Sequence, residues 1–289
     1  AFGVDALTYN VSGYNNSAFG HYALFSNTFG ANNNAFGHRA LFLNQAGNKN
    51  NAFGIYALRN NTTSNNNAFG YFALASNTTG VNNAAFGHQA LQLNTIGNTN
   101  NAFGLKALYN NTTNANNAFG YLALASNTTG FRNSAFGHQT LNNNTIGVGN
   151  NAFGHLSLKA NTTGNYNNAF GNLALASNIS GVKNNAFGYA ALASNTSGNN
   201  NGAFGYYALR NNTTGGSNNA FGYKSLMFNT IGTNNSAFGN SALNKNTTGV
   251  SNTGVGAGAL YANTSGINNT TVGVGSLALG TLVNRNNAF

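Results

Sequence analysis

Along this chain, short apolar pieces are separated by polar turns at a fixed beat. Residues 116–130 read NNAFGYLALASNTTG, and variants of that phrase run from Ala1 to Phe289. Units open at the Ala of AFG, at residues 1, 18, 35, 52, 68, 85, 102 and 118, and continue in the same way to Ala288. The period is 17, with two units of 16. Counted from that Ala, position 2 is Phe except at Val255 and Val272, position 3 is Gly and position 7 is Leu. Position 10 is Asn from Asn10 to Asn263, and position 16 is Asn in every complete unit. The short units carry Ser64 and Asn114 in place of the usual turn Gly, which puts the missing residue just after position 13. A slower beat of 50 residues overlies this one: FGYFALASNTTG at 69 returns as FGYLALASNTTG at 119.

Such a unit is too short for helix-pair repeats, which need about 33 to 47 residues. Asn, Thr and Gly at this density also disfavour helix, whereas brief apolar runs punctuated by NTTG suit strands and turns. The pattern predicts an all-β fold, a parallel β-solenoid (β-roll or β-helix) with one 17-residue unit per coil, about 17 coils, and a single repetitive rod over residues 1–289. Stacked coils place each residue over its own copy, about 4.8 Å away. Columns of Phe (Phe19, Phe36, Phe53) and Leu (Leu24, Leu41, Leu58) are the expected dry core. Columns of Asn are expected to run through the turns (Asn27, Asn44, Asn61 at position 10; Asn33, Asn50, Asn66 at position 16), each amide donating to one neighbour and accepting from the other. Strand alternation then puts Ala23, Ala40, Ala57 and Ala73 on the opposite face, a flat surface suited to self-association as a trimer or filament.

Composition narrows function. Only 4% of residues are charged, 64 are Asn, and Pro, Cys and Trp are absent. With 41% apolar residues the chain does not have the profile of disorder, which pairs low hydrophobicity with high net charge. No thiol means no disulfide and no zinc–thiolate site. No apolar run approaches the roughly 18 residues of a membrane span. Beginning at AFG and ending at NNAF without an initiator Met, the sequence reads as a piece of something longer.

The phrase NNAFGYxALxxNTTGxxN resembles the repeats of bacterial and phage tail-fibre-domain proteins and, more distantly, the head repeats of YadA-like trimeric autotransporter adhesins. The resemblance spans essentially the whole chain. It implies a left-handed parallel β-roll, usually trimeric, serving as the shaft or head of a surface fibre.

Candidate chemistry is sparse. Asp5 is the only acidic residue, so no carboxylate pair exists for acid–base work and no acid can orient a histidine in a triad. Neither catalysis, a metal site nor a cofactor is expected. His21, His38, His88, His138 and His155 all occupy position 4, where stacking beside the Gly is the expected role, although the pairs 21/38 and 138/155 stand on consecutive coils. The eleven Lys and Arg are spread along the sequence, which argues against nucleic-acid binding and for a solvated face with loose attraction to anionic surface polymers and glycans. Asn77 and Asn127 head Asn-x-Thr triplets and are candidate glycosylation acceptors. The sequence therefore points to a non-enzymatic shaft or adhesive segment of an extracellular fibre. An ice-binding solenoid is the alternative, with Thr62, Thr78, Thr95 and Thr112 as a hydroxyl array.

Overall fold

A computed structural model describes residues 1–278 and 284–288. The chain divides into two compact units, residues 1–146 and 147–289. Among the described residues both are built from coils of one strand and a long series of turns, with no helix. The first unit contains β1 (Ser17–Phe19), β2 (Asn34–Phe36), β3 (Asn51–Phe53) and their successors to β8 (Ser134–Phe136). The second runs from β9 (Asn151–Phe153) to β17 (Asn287–Ala288). Pairing is parallel and in phase: Ala18 faces Ala35 and Ala35 faces Ala52, as Ala169 faces Ala186 in the second unit. The predicted parallel β-solenoid, one phrase per coil, is the fold.

Only positions 17, 1 and 2 form strand, yet backbone bonds link the coils around most of their circuit. Leu24 N donates to Ala40 O (3.0 Å), Ser26 N to Phe42 O (3.1 Å) and Thr28 N to Gln45 O (2.9 Å), all towards the following coil. Gly37 N, Arg39 N and Lys49 N donate the other way, to Phe19 O, His21 O and Ala31 O. This alternation needs left-handed backbone at non-glycine residues. Arg39, Leu41 and Lys49, at positions 5, 7 and 15, have φ of 55°, 52° and 58°. Such a conformation costs roughly 1–2 kcal/mol per residue, offset here by the ladder bonds it aims. Position 3 is stricter still. Gly20 has φ +131°, and a Cβ there would lie 2.7 Å from Gly37 O, so no side chain fits.

The core differs from the expected one in a specific way. Leu24, Leu41 and Leu58 are fully buried, as expected. Their partners, however, are the alanines: Ala18, Ala35 and Ala52 at position 1, and Ala23, Ala40, Ala57 and Ala73 at position 6, are all 0% exposed. The Ala column is therefore inside and is not an association face. Phe19, Phe36 and Phe53 are outside it, Phe19 being 44% exposed and the others half-buried. A coil of this length encloses a narrow lumen that already holds Leu and Asn, so the inward strand position admits a methyl group and the ring points out. Positions 6 and 7 both face inward because the left-handed Leu breaks strand alternation.

Two buried Asn columns complete the interior. At position 10, Asn44 Nδ2 donates to Asn27 Oδ1 (3.0 Å) and to its own coil's Gly47 O (3.0 Å). At position 16, Asn50 donates through both N (3.0 Å) and Nδ2 (3.1 Å) to Asn33 Oδ1, and Asn66 N donates to Asn50 Oδ1 (2.9 Å). The short units interrupt the first column and spare the second. Asn61 Nδ2 turns to Thr63 O (2.7 Å), and Asn111 Nδ2 to Thr113 O (2.9 Å), leaving the Oδ1 atoms of Asn44 and Asn94 buried without a partner. Asn50 Nδ2 donates to Thr63 O (2.7 Å) where Asn33 Nδ2 donates to Gly47 O (2.8 Å), and Asn48 N finds Ser64 Oγ (2.9 Å). Thr63 thus takes the Gly place and Ser64 the place after it. The missing residue lies before position 13, not after it.

Candidate interaction surface

The three-residue strand turns two rows of side chains outward. In the first unit, Phe36, Phe53, Phe69, Phe86, Phe103 and Phe119 stack with centroids 4.6–4.7 Å apart and planes within 7°. The second repeats this from Phe153 to Phe238, at 4.6–5.0 Å. Beside the rings runs a third amide row: Asn34 Nδ2 donates to Asn51 Oδ1 (2.8 Å) and Asn51 Nδ2 to Asn67 Oδ1 (2.7 Å). Ring faces are consumed by the stack, so the row presents edges. This geometry suits apolar packing against another regular surface better than stacking on a planar ligand.

Position 4 carries a second outward row. His88 stacks on Tyr71 (5.1 Å) and His138 on Tyr121 (5.0 Å), the stacking role expected for these histidines. His21 and His38 lie 5.3 Å apart, centroid to centroid. Desolvation, then the Arg39 and His21 charges, holds the His38 pKa below its ordinary value. No cluster of three or more metal-ligating side chains occurs among the described residues. His155 stands exposed in the second unit.

In the second unit, tyrosines take over this row. Tyr189, Tyr206 and Tyr223 are 40–45% exposed and stack at 5.1 and 5.6 Å. The neighbouring Tyr207 phenol, its ring centroid 4.1 Å away, is the main cause of a Tyr206 pKa pushed up to about 12. Arg210 lies over the Tyr207 ring at 4.7 Å, Lys224 over Tyr223 at 4.9 Å and Lys245 over Tyr261 at 5.3 Å. The Lys224 pKa is raised, first by the Tyr223 phenol beside it. Next to Lys245 is an open groove of about 320 Å³ lined by Phe228, Lys245, Thr247 and Thr264. Sequence reasoning missed this cluster because it counted cations by position. The available signal was Tyr-Tyr at 206–207 followed by cations in three consecutive units.

No family model matches the chain, and comparison with curated proteins finds no relative.

Two remaining groups are placed differently from expectation. Asn77 and Asn127 are fully buried, with Nδ2 donating to Asn61 Oδ1 and Asn111 Oδ1 (both 2.7 Å), so the folded chain offers no amide to a glycosylating enzyme at either position. The Thr column exists, but three of its four hydroxyl protons are used: Thr62 Oγ1 donates to Thr78 O (2.8 Å), Thr78 Oγ1 to Thr95 O (3.0 Å) and Thr112 Oγ1 to Thr128 O (3.0 Å).

Proposed function

We propose that the chain is a non-enzymatic structural segment, the shaft or adhesive part of an extracellular fibre, and that each unit associates with a second copy through its Phe/Asn strand face. The observation that carries this reading is the exposed ring column. In the second unit Phe187, Phe221, Phe238, Val255 and Val272 are 36–41% exposed. At about 150–250 Å² per aromatic side chain, the column leaves on the order of 400 Å² of contiguous apolar surface, as much as a monomer ordinarily shows. With the flanking amide row, the face approaches the ~800 Å² that each partner contributes to a standard interface. A second copy is the fitting occupant because its rows share the same spacing and interdigitate at every coil, as in paired β-sheets with dry interfaces. Regular coils, without the irregular loops on which catalytic groups usually sit, support the structural reading. The hydroxyls of Thr62, Thr78 and Thr112, already bonded to carbonyls, support it over ice binding.

The test is light scattering on the whole chain and on a variant that breaks the ring column in both units, F53S/F69S/F86S/F187S/F204S/F221S. The wild type is expected to be oligomeric and the variant to shift to monomer with an unchanged β spectrum. A monomeric wild type, or a variant of unchanged mass, would remove self-association through this face.

A further inference from the structure

The turn face of the second unit has features that neither a shaft nor the strand interface requires. Three cations, Arg210, Lys224 and Lys245, stand on the consecutive coils that open at 203, 220 and 237. The only Asp or Glu of the chain is Asp5, so the second unit contains no acidic side chain to neutralise them. Each cation is held over a tyrosine ring, at 4.7–5.3 Å from its centroid. Cation–π contact fixes the stem while leaving N–H donors open to solvent. Tyr223 and Tyr261 are 45% and 36% exposed and present phenol oxygens beside these donors.

We propose that Tyr207, Arg210, Tyr223, Lys224, Lys245 and Tyr261 form a binding site for a linear acidic polysaccharide bearing carboxylate or sulfate groups. The cations stand at positions 8, 5 and 9 of consecutive units, a staggered patch and not a single row; the coil step of about 4.8 Å is comparable to the length of one pyranose unit, so a run of a few sugars spans the patch. Phenol and ammonium groups match its hydroxyls and anions, and the groove beside Phe228 takes the apolar face of a ring. Single-stranded nucleic acid fits less well, because base recognition needs open aromatic faces. Here the faces are taken: Tyr223 by Tyr206 and Lys224, Tyr207 by Arg210. Exposed ion pairs are individually weak, so all three cations are needed and binding falls with salt. The site stands independently of the fibre reading, since light scattering reports self-association and titration reports the ligand.

The experiment is calorimetric titration of the full chain with dextran sulfate and polygalacturonate, against neutral dextran and poly(dT). R210Q/K224Q/K245Q is expected to bind the acidic glycans about tenfold more weakly. K49Q/K106Q/R132Q, which removes the same charge from the first unit, is expected to change affinity less than about twofold. Equal losses in the two variants would reduce the site to diffuse charge, and tighter binding of poly(dT) than of either glycan would assign it to nucleic acid. Thermal melts check the fold of both variants. Should the triple variant melt early, the single R210Q, K224Q and K245Q variants serve instead, each expected to be about twofold weaker, and unchanged affinity in all three would overturn the proposal.

Discussion

The interrupted Asn column provides its own control. Asn77 and Asn44 occupy the same position in coils of the first unit and are both fully buried. Asn77 makes three amide bonds: Nδ2 to Asn61 Oδ1 (2.7 Å), Nδ2 to Gly80 O (2.8 Å), and Oδ1 from Asn94 Nδ2 (3.1 Å). Asn44 makes only the two donor bonds, because the short unit that follows leaves its Oδ1 unpaired. At about 1 kcal/mol net per bond, Asn77→Ala is expected to cost about 3 kcal/mol and Asn44→Ala about 2. Asn44→Ala also removes a buried unpaired acceptor, but it strips Asn27 Oδ1 of its donor at a similar cost of about 1–3 kcal/mol, so these two effects offset and the gap stays near 1 kcal/mol. Chemical denaturation followed by circular dichroism, fitted unit by unit because repeat arrays need not unfold in one step, measures the difference. Equal costs, or a larger one for Asn44→Ala, would refute the claim that pairing from coil to coil sets the worth of these amides.

Ala57→Leu and Ala73→Leu each overfill a sealed interior and are expected to destabilise by about 1–3 kcal/mol in denaturant melts, leaving the oligomeric mass unchanged where the fold survives. Because His38 is held neutral below its ordinary pKa of 6.5, the unfolded chain takes up a proton there before the folded one does. Stability contributed at this site is therefore present above pH 6.5 and lost as pH falls, and His38→Gln is expected to flatten that part of a pH–stability curve. A nanolitre osmometer is expected to find no thermal hysteresis with the purified chain; a clear freezing gap would revive the ice-binding alternative despite the bonded hydroxyls.

Periodicity made the fold legible and left the direction of the side chains open. A fixed unit with Asn, Leu and Gly always in place implies stacking of like on like, so the Leu24–Leu41–Leu58 column and both Asn columns were readable directly. Which of Ala and Phe faces inward was not. Alternation separates them but does not name the inner face, and the choice of the larger residue ignored how little room a 17-residue coil encloses once Leu and Asn are inside. Consecutive inward residues such as Ala40 and Leu41 depend on left-handed backbone at a leucine, φ 52°, for which sequence carries no local cue. The place of the missing residue near Ser64 was likewise fixed only by hydrogen bonding. The Tyr–Lys–Arg cluster arises from neighbours in successive coils, and it becomes visible once the units are aligned as coils and not as text.

The most direct test of one phrase per coil compares two deletions within the first unit. Removing residues 118–134 joins Asn117 to Ala135, so the strand again reads Asn-Ala-Phe and every column is restored. Removing only residues 118–125 sets Ser126 at the inward Ala position, Thr128 where only Gly fits and Arg132 where the buried Leu belongs, placing polar groups at core positions and breaking the Leu and Asn columns at one seam. Buried groups without partners cost roughly 1–3 kcal/mol each. In thermal melts followed by circular dichroism, the whole-unit deletion is expected to match the wild type, and the half-unit deletion to melt early, in separate steps or with aggregation. Indistinguishable melts for the two deletions would contradict the in-phase solenoid.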